Sequence, residues 1–154
     1  MKCSVIVGLM MLAGSGCSST LVIGPDPIPV IGAQLIADGG SCMDLLDGNT
    51  ADGSPIDLFH CHGSANQRWY IMNGSISQNT GSCLDVRGAV ANDETPVLLA
   101  TCNGSPSQRW SIVSGQVIGV GGKCLGTQGG ATADLTPLII SDCSRTSARR
   151  WTVQ

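Results

Sequence analysis

Gln67-Arg68-Trp69-Tyr70-Ile71, Gln108-Arg109-Trp110-Ser111-Ile112 and Arg149-Arg150-Trp151-Thr152-Val153 are three versions of one pentapeptide, spaced 41 residues apart. In each, the tryptophan and the aliphatic residue two places on share one face of an extended strand, because side chains alternate along a β-strand. Half-buried strands recurring at a fixed period mean a repeated unit.

Working outward at the same shift, Cys42, Cys83 and Cys124 coincide, as do Pro55, Pro96 and Pro137, and Cys61, Cys102 and Cys143. Met43, Leu84 and Leu125 stay apolar, as do Ile56, Val97 and Leu138, and the Ile71, Ile112, Val153 column is expected to be buried alike. Apolar runs at 56–59, 97–100 and 138–140 begin after a proline and end near a cysteine, which bounds them at strand length. Gly39-Gly40, Gly81 and Gly121-Gly122 mark turns. The units run 34–74, 75–115 and 116–154.

Three such units either stack in an open solenoid or close about a threefold axis. A solenoid needs polar capping repeats, whereas the third unit still presents Trp151 and Val153. Closure is therefore expected, with one tryptophan per copy entering a shared core. The predicted architecture is all-β, a β-trefoil of three 41-residue repeats with pseudo-threefold symmetry.

Ahead of the repeats, Lys2, an apolar run over 5–13 and the small residues Gly14, Ser15 and Gly16 read as an export signal. The run is too short to span a bilayer. Leu12-Ala13-Gly14-Ser15-Gly16-Cys17 resembles a bacterial lipoprotein cleavage site, with Cys17 as the lipidated residue. Gly14 stands where such sites usually carry leucine, so ordinary cleavage after Ser15 or Gly16 is the other reading. Residues 1–17 are thus expected to be a signal peptide, and the product to be lipid-anchored in the cell envelope or secreted. Pro25, Pro27 and Pro29 make 18–33 an extended tether, with an edge strand at 21–23 as the alternative.

Only 12% of residues are charged and the net charge is -3, so nothing draws the chain to nucleic acid or anionic lipid. Setting aside Cys3 and Cys17, six of the eight cysteines remain, two per repeat. Threefold repetition favours the symmetric pairing Cys42–Cys61, Cys83–Cys102 and Cys124–Cys143 among the possible ones. A zinc site is disfavoured, since His60 and His62 sit in one repeat only. Asp44, Asp47, Asp52 and Asp57 match no calcium loop spacing, so no cofactor is expected. Asp44 and Asp57 resemble a glycosidase pair, but nothing in the sequence points to a raised acid pKa or a cleft. With both histidines flanking one structural cysteine, no nucleophilic triad assembles. A protein without catalytic activity is expected.

Gln67-Arg68-Trp69 and Gln108-Arg109-Trp110, with Cys42-Met43-Asp44 and Cys83-Leu84-Asp85 near the unit starts, resemble the ricin-type lectin repeat over residues 34–154. The resemblance implies one shallow sugar pocket per repeat, in which a carboxylate and amides pair hydroxyls and an aromatic ring packs on the C–H face. It gives the first repeat a full set: Asp44 as hydroxyl acceptor, Phe59 as platform, Asn66 as hydroxyl partner, His62 as a further polar contact and Gln67 supporting the loop. Asp57 stands where the family often has glutamine. Purely architectural roles for Gln67 and Gln108, and simple packing for Phe59, remain alternatives. The second repeat keeps Asp85, Asn103 and Gln108 but has Ala100 at the platform and Ser107 for the asparagine, a weak second site. The third has Gly126, Ser141, Ala148 and Arg149 and is expected to be structural. The implied function is binding of galactose-type or xylan-like glycans, chiefly by the first repeat. A protein-interaction trefoil, such as a toxin accessory subunit or inhibitor, is the alternative.

Overall fold

The computed structural model describes residues 29–78 and 81–154. The expected signal peptide with Cys17, the strand alternative at 21–23 and the expected tether up to 28 lie outside them. Among the described residues thirteen strands form: β1 (Val30–Ala33), β2 (Leu35–Ala37), β3 (Cys42–Leu45) and β4 (Ile56–Phe59), then β5 (Trp69–Met72), β6 (Ser75–Ser77), β7 (Ser82–Val86) and β8 (Thr95–Thr101). After these come β9 (Ser111–Val113), β10 (Gln116–Ile118), β11 (Cys124–Thr127), β12 (Thr136–Ser141) and β13 (Trp151–Val153). The only helical elements among the described residues are single 3-10 turns.

Closure is visible in the pairing. The hairpins β5–β6 and β9–β10 turn through Asn73-Gly74 and Ser114-Gly115, all four residues at positive φ, the backbone that tight two-residue hairpins need. The third equivalent has no connecting turn. Instead β13 pairs with β2, Trp151 opposite Ala37 and Val153 opposite Leu35, so the last strand completes the first copy. Around the axis β12 pairs with both β4 and β8.

Each tryptophan plays the same part. The indole Nε1 atoms of Trp69, Trp110 and Trp151 donate to the carbonyls of Met43, Leu84 and Leu125 at 3.0, 2.9 and 3.2 Å. A buried indole N–H left unpaired would be costly, and here each one ties strand 5, 9 or 13 to the start of its own unit. The arginines before them reach backward: Arg68, Arg109 and Arg150 donate from Nη1 to the carbonyls of Gly32, Asn73 and Ser114. Their backbone-stapling role explains a column whose purpose the sequence leaves open. A further column emerges: Asp52, Asp93 and Asp134 each reach the end of a strand in the following copy, at Thr101, Asp142 and His60 respectively.

Two expectations need correction. Val30–Ala33, read as the end of a tether, form β1 and pair with β5. The Ile71, Ile112, Val153 column is not uniformly buried. Ile71 and Val153 pack on the edge of the core, while Ile112 is 36% exposed.

The disulfides Cys42–Cys61, Cys83–Cys102 and Cys124–Cys143 all form, as the repeat demanded. Each closes a loop of similar length. Replacing Cys83 and Cys102 by serine is expected to lower stability by about 3 kcal/mol, read as a lower denaturant midpoint, with a steeper slope because the freed unfolded chain expands.

Candidate functional site

In the first repeat, β3 and β4 place Asp44 directly opposite Asp57. Opposed residues of an antiparallel pair project to one face, so the two carboxylates are neighbours. The loop after Cys61 folds against this face through a 3-10 turn at Ala65–Gln67. From it, Asn66 Nδ2 donates to both carboxylate oxygens of Asp44 at 2.9 and 3.0 Å. The Nε2 atom of His62 lies 3.4 Å from the same carboxylate. Asp44 is only 4% exposed, covered by Asn66 and His62. Burial pushes the Asp44 carboxyl above the usual carboxylate range, against the opposing pull of its donors and of His62.

Phe59 is half-buried, with its ring 4.3 Å from that of His60 and 5.8 Å from that of His62. It packs against these two imidazoles and lies outside the core cluster. Asp57 is 3% exposed and its Oδ1 has no hydrogen-bond partner among the described residues. Burial, reinforced by the charges of Asp44, Asp47 and Asp134, pushes its pKa up to about 7. Near neutrality it therefore carries a proton for a large part of the time. A neutral carboxyl both donates and accepts, as an amide does, which answers how an aspartate can occupy a position that glutamine fills in the ricin-type repeat.

Gln67 is fully buried and makes the loop rather than the pocket wall. Its Oε1 accepts from the amides of His62 and Gly63, and its Nε2 donates to the His60 carbonyl. Gln108 repeats this scheme with Asn103, Gly104 and Thr101, and also donates to Asp85 Oδ2 at 2.7 Å. In the second repeat the acceptor is thus engaged by an architectural amide. Asn103 turns its Oδ1 back to the Ser105 amide, and Ser107 pairs with Ser105. Ala100 offers no ring.

In the third repeat the pocket is filled by backbone. A Cβ on Gly126 would lie 1.9 Å from the Ser147 carbonyl oxygen, which accepts from the Thr127 amide at 2.8 Å. Arg149 closes the loop further, donating to Thr127 Oγ1 and to the carbonyls of Gly130 and Ala131. Among the described residues no cluster of three or more His, Cys, Asp or Glu side chains could hold a metal ion. Asp52, one of the calcium candidates, is instead bonded to the amide and hydroxyl of Thr101.

Solved structures share this fold. The chain matches the designed three-fold symmetric protein ThreeFoil with TM-score 0.68 and 21% identity, covering 79% of this chain and 96% of that one. It matches the C-half of the earthworm R-type lectin, solved in complex with GalNAc, with TM-score 0.69 and 13% identity over 81% and 98% of the two chains. It also matches an exo-β-1,3-galactanase from Clostridium thermocellum with TM-score 0.71 and 25% identity, over 84% of this chain but only 30% of the enzyme. The family model for the ricin-type beta-trefoil lectin domain matches residues 33–151. With that span covering all six disulfide-bonded cysteines and all three tryptophans, the chain belongs to the ricin-type β-trefoil lectin domain family.

Proposed function

We propose that this domain binds carbohydrate without altering it, through one principal pocket in the first repeat formed by Asp44, Asp57, Phe59, His62 and Asn66. The observation that carries the reading is the difference between the copies. Asp44 has an imidazole beside its amide donors, and that imidazole packs on a half-buried ring. Asp85, though less buried than Asp44, has Gln108 as its donor and neither a ring nor an imidazole at the equivalent positions, Ala100 and Asn103, and Gly126 is covered by backbone. A galactose-type ligand is supported by the GalNAc complex of the earthworm lectin, and xylan-like chains by His62 beside the carboxylate. Asp85, Asn103 and Gln108 make at most a weak second site. The three disulfides support an oxidising compartment, reached through the signal at 1–17, with Cys17 as lipid anchor. One shallow site buries little area, so affinity is expected around millimolar to high micromolar. Display of many copies on a membrane would raise it through effective concentration.

Retention of the disulfide-intact domain on immobilised galactose and xylan, with Asp44→Ala alongside, tests the proposal. Asp44→Ala is expected to elute without retention while melting as a folded protein. Equal retention of both forms would remove the pocket from the account.

A further inference from the structure

Behind Asn66 lies a groove of about 690 Å³ that contains none of Asp44, Asp57, Phe59 or His62. Asp47, Thr50, Asn66, Arg68, Tyr70 and Gln78 contribute polar groups and the chain's only tyrosine ring to its walls. Its size is that of clefts that enclose a whole small ligand, ~300–1,000 Å³, more than one sugar ring needs. Gln78 is 8% exposed, and its Nε2 has no hydrogen-bond partner among the described residues. A buried amide without a partner destabilises the free protein, so its presence calls for something that compensates.

The repeat itself singles out these positions. The counterparts of Asp47 are Gly88 and Gly129, and those of Asn66 are Ser107 and Ala148. Tyr70 corresponds to Ser111 and Thr152, and Gln78 to Gly119 and Ala37. Trefoil packing requires none of the four, since the other copies fold without them. All four line one groove, and one of them, Asn66, is also the partner of Asp44.

We propose that this groove is a second saccharide subsite, taking the sugar units next to the one held at Asp44, so that the domain reads glycan chains in preference to single sugars. This rests on the first-repeat pocket being the primary site. Neutral polyhydroxylated units fit the lining: the Tyr70 ring offers a face for C–H groups, Thr50 and Asn66 offer groups to hydroxyls, and the Gln78 carboxamide offers its buried nitrogen once the amide turns over. Asp47 and Arg68 bring opposite charges and leave no excess for an ionic ligand.

Calorimetric titration with galactose, xylose, β-1,4-xylotetraose and β-1,4-galactotetraose tests it on the wild type, Gln78→Met, Tyr70→Ser and Asp44→Ala. One tetraose is expected to bind the wild type about tenfold more tightly than its monosaccharide, the worth of one or two added hydrogen bonds. Gln78→Met and Tyr70→Ser are expected to remove most of that gain and leave the monosaccharide dissociation constant unchanged. Gln78→Met should also melt no lower than the wild type, because it removes the unpartnered amide while filling a similar volume. A monosaccharide bound through Asp44, with tetraoses no tighter or with both groove variants unaffected, would overturn the subsite alone. Unchanged binding in Asp44→Ala, or no binding by the wild type, would overturn the primary pocket as well.

Discussion

Gly126→Asp, which gives the third repeat the acceptor its two sister repeats carry, is expected to unfold that repeat rather than to build a third pocket. The new Cβ would meet the Ser147 carbonyl oxygen at 1.9 Å, and the neighbouring Ala148 Cα at 2.9 Å. Both obstacles are backbone, so no side-chain rotation relieves them. Moving Ser147 outward breaks its bond with the Thr127 amide and the bridge between Gly126 and Ala148. Overpacking ordinarily costs ~1–3 kcal/mol, and displacing a bonded backbone segment adds to that, so a loss of about 4 kcal/mol or more is expected. Calorimetry would show a melting temperature lower by more than about 10 °C. A Gly126→Asp protein melting within a few degrees of the wild type would show that the loop is free to lift, and that the third repeat is less committed to structure than described.

The second large effect concerns Asp57. Its carboxyl titrates at about 7 in the folded protein, against an ordinary value of 3.8. The folded state therefore holds this proton more tightly than the unfolded state. The stability it contributes is fully present below about pH 4, falls as pH rises, and is gone above about pH 7. Asp57→Asn keeps the size and removes the titration. At pH 8 it is expected to exceed the wild type by about 4 kcal/mol, taking ~1.4 kcal/mol per pH unit over about three units. At pH 4 the two are expected to unfold at nearly the same urea concentration. Since the asparagine also donates and accepts, sugar binding should survive, and its weakening at alkaline pH should disappear. A constant difference between the two proteins from pH 4 to pH 8 would mean that Asp57 is ionised throughout.

The trefoil was legible because its causes repeat. Trp69, Trp110 and Trp151, with the paired cysteines and the apolar positions after them, each serve the same packing need three times over, and the period exposes them. What was not legible depends on neighbours that no period reveals. Gly126 reads in sequence as a missing acceptor, yet its purpose is to admit the Ser147–Ala148 backbone. Gln67 and Gln108 read equally well as sugar ligands or loop supports, and burial decides for the loop. The links from Asp52, Asp93 and Asp134 cross between copies, and only the closed arrangement brings them to their partners. That Asp57 holds its proton is not legible in the sequence, because the burial that raises its pKa is a property of the assembled face. The Gln78 groove escaped notice for the opposite reason to the tryptophans: its residues are those that break the repeat.

The account stands on the first copy being the one that takes a sugar. Amide shift mapping of the ¹⁵N-labelled domain during a galactose titration tests this most directly. Progressive, saturating changes confined to residues 44–67 are the predicted result, with the amides of 85–108 and 126–149 unmoved. Equal changes in all three copies, or changes centred on the third, would contradict it.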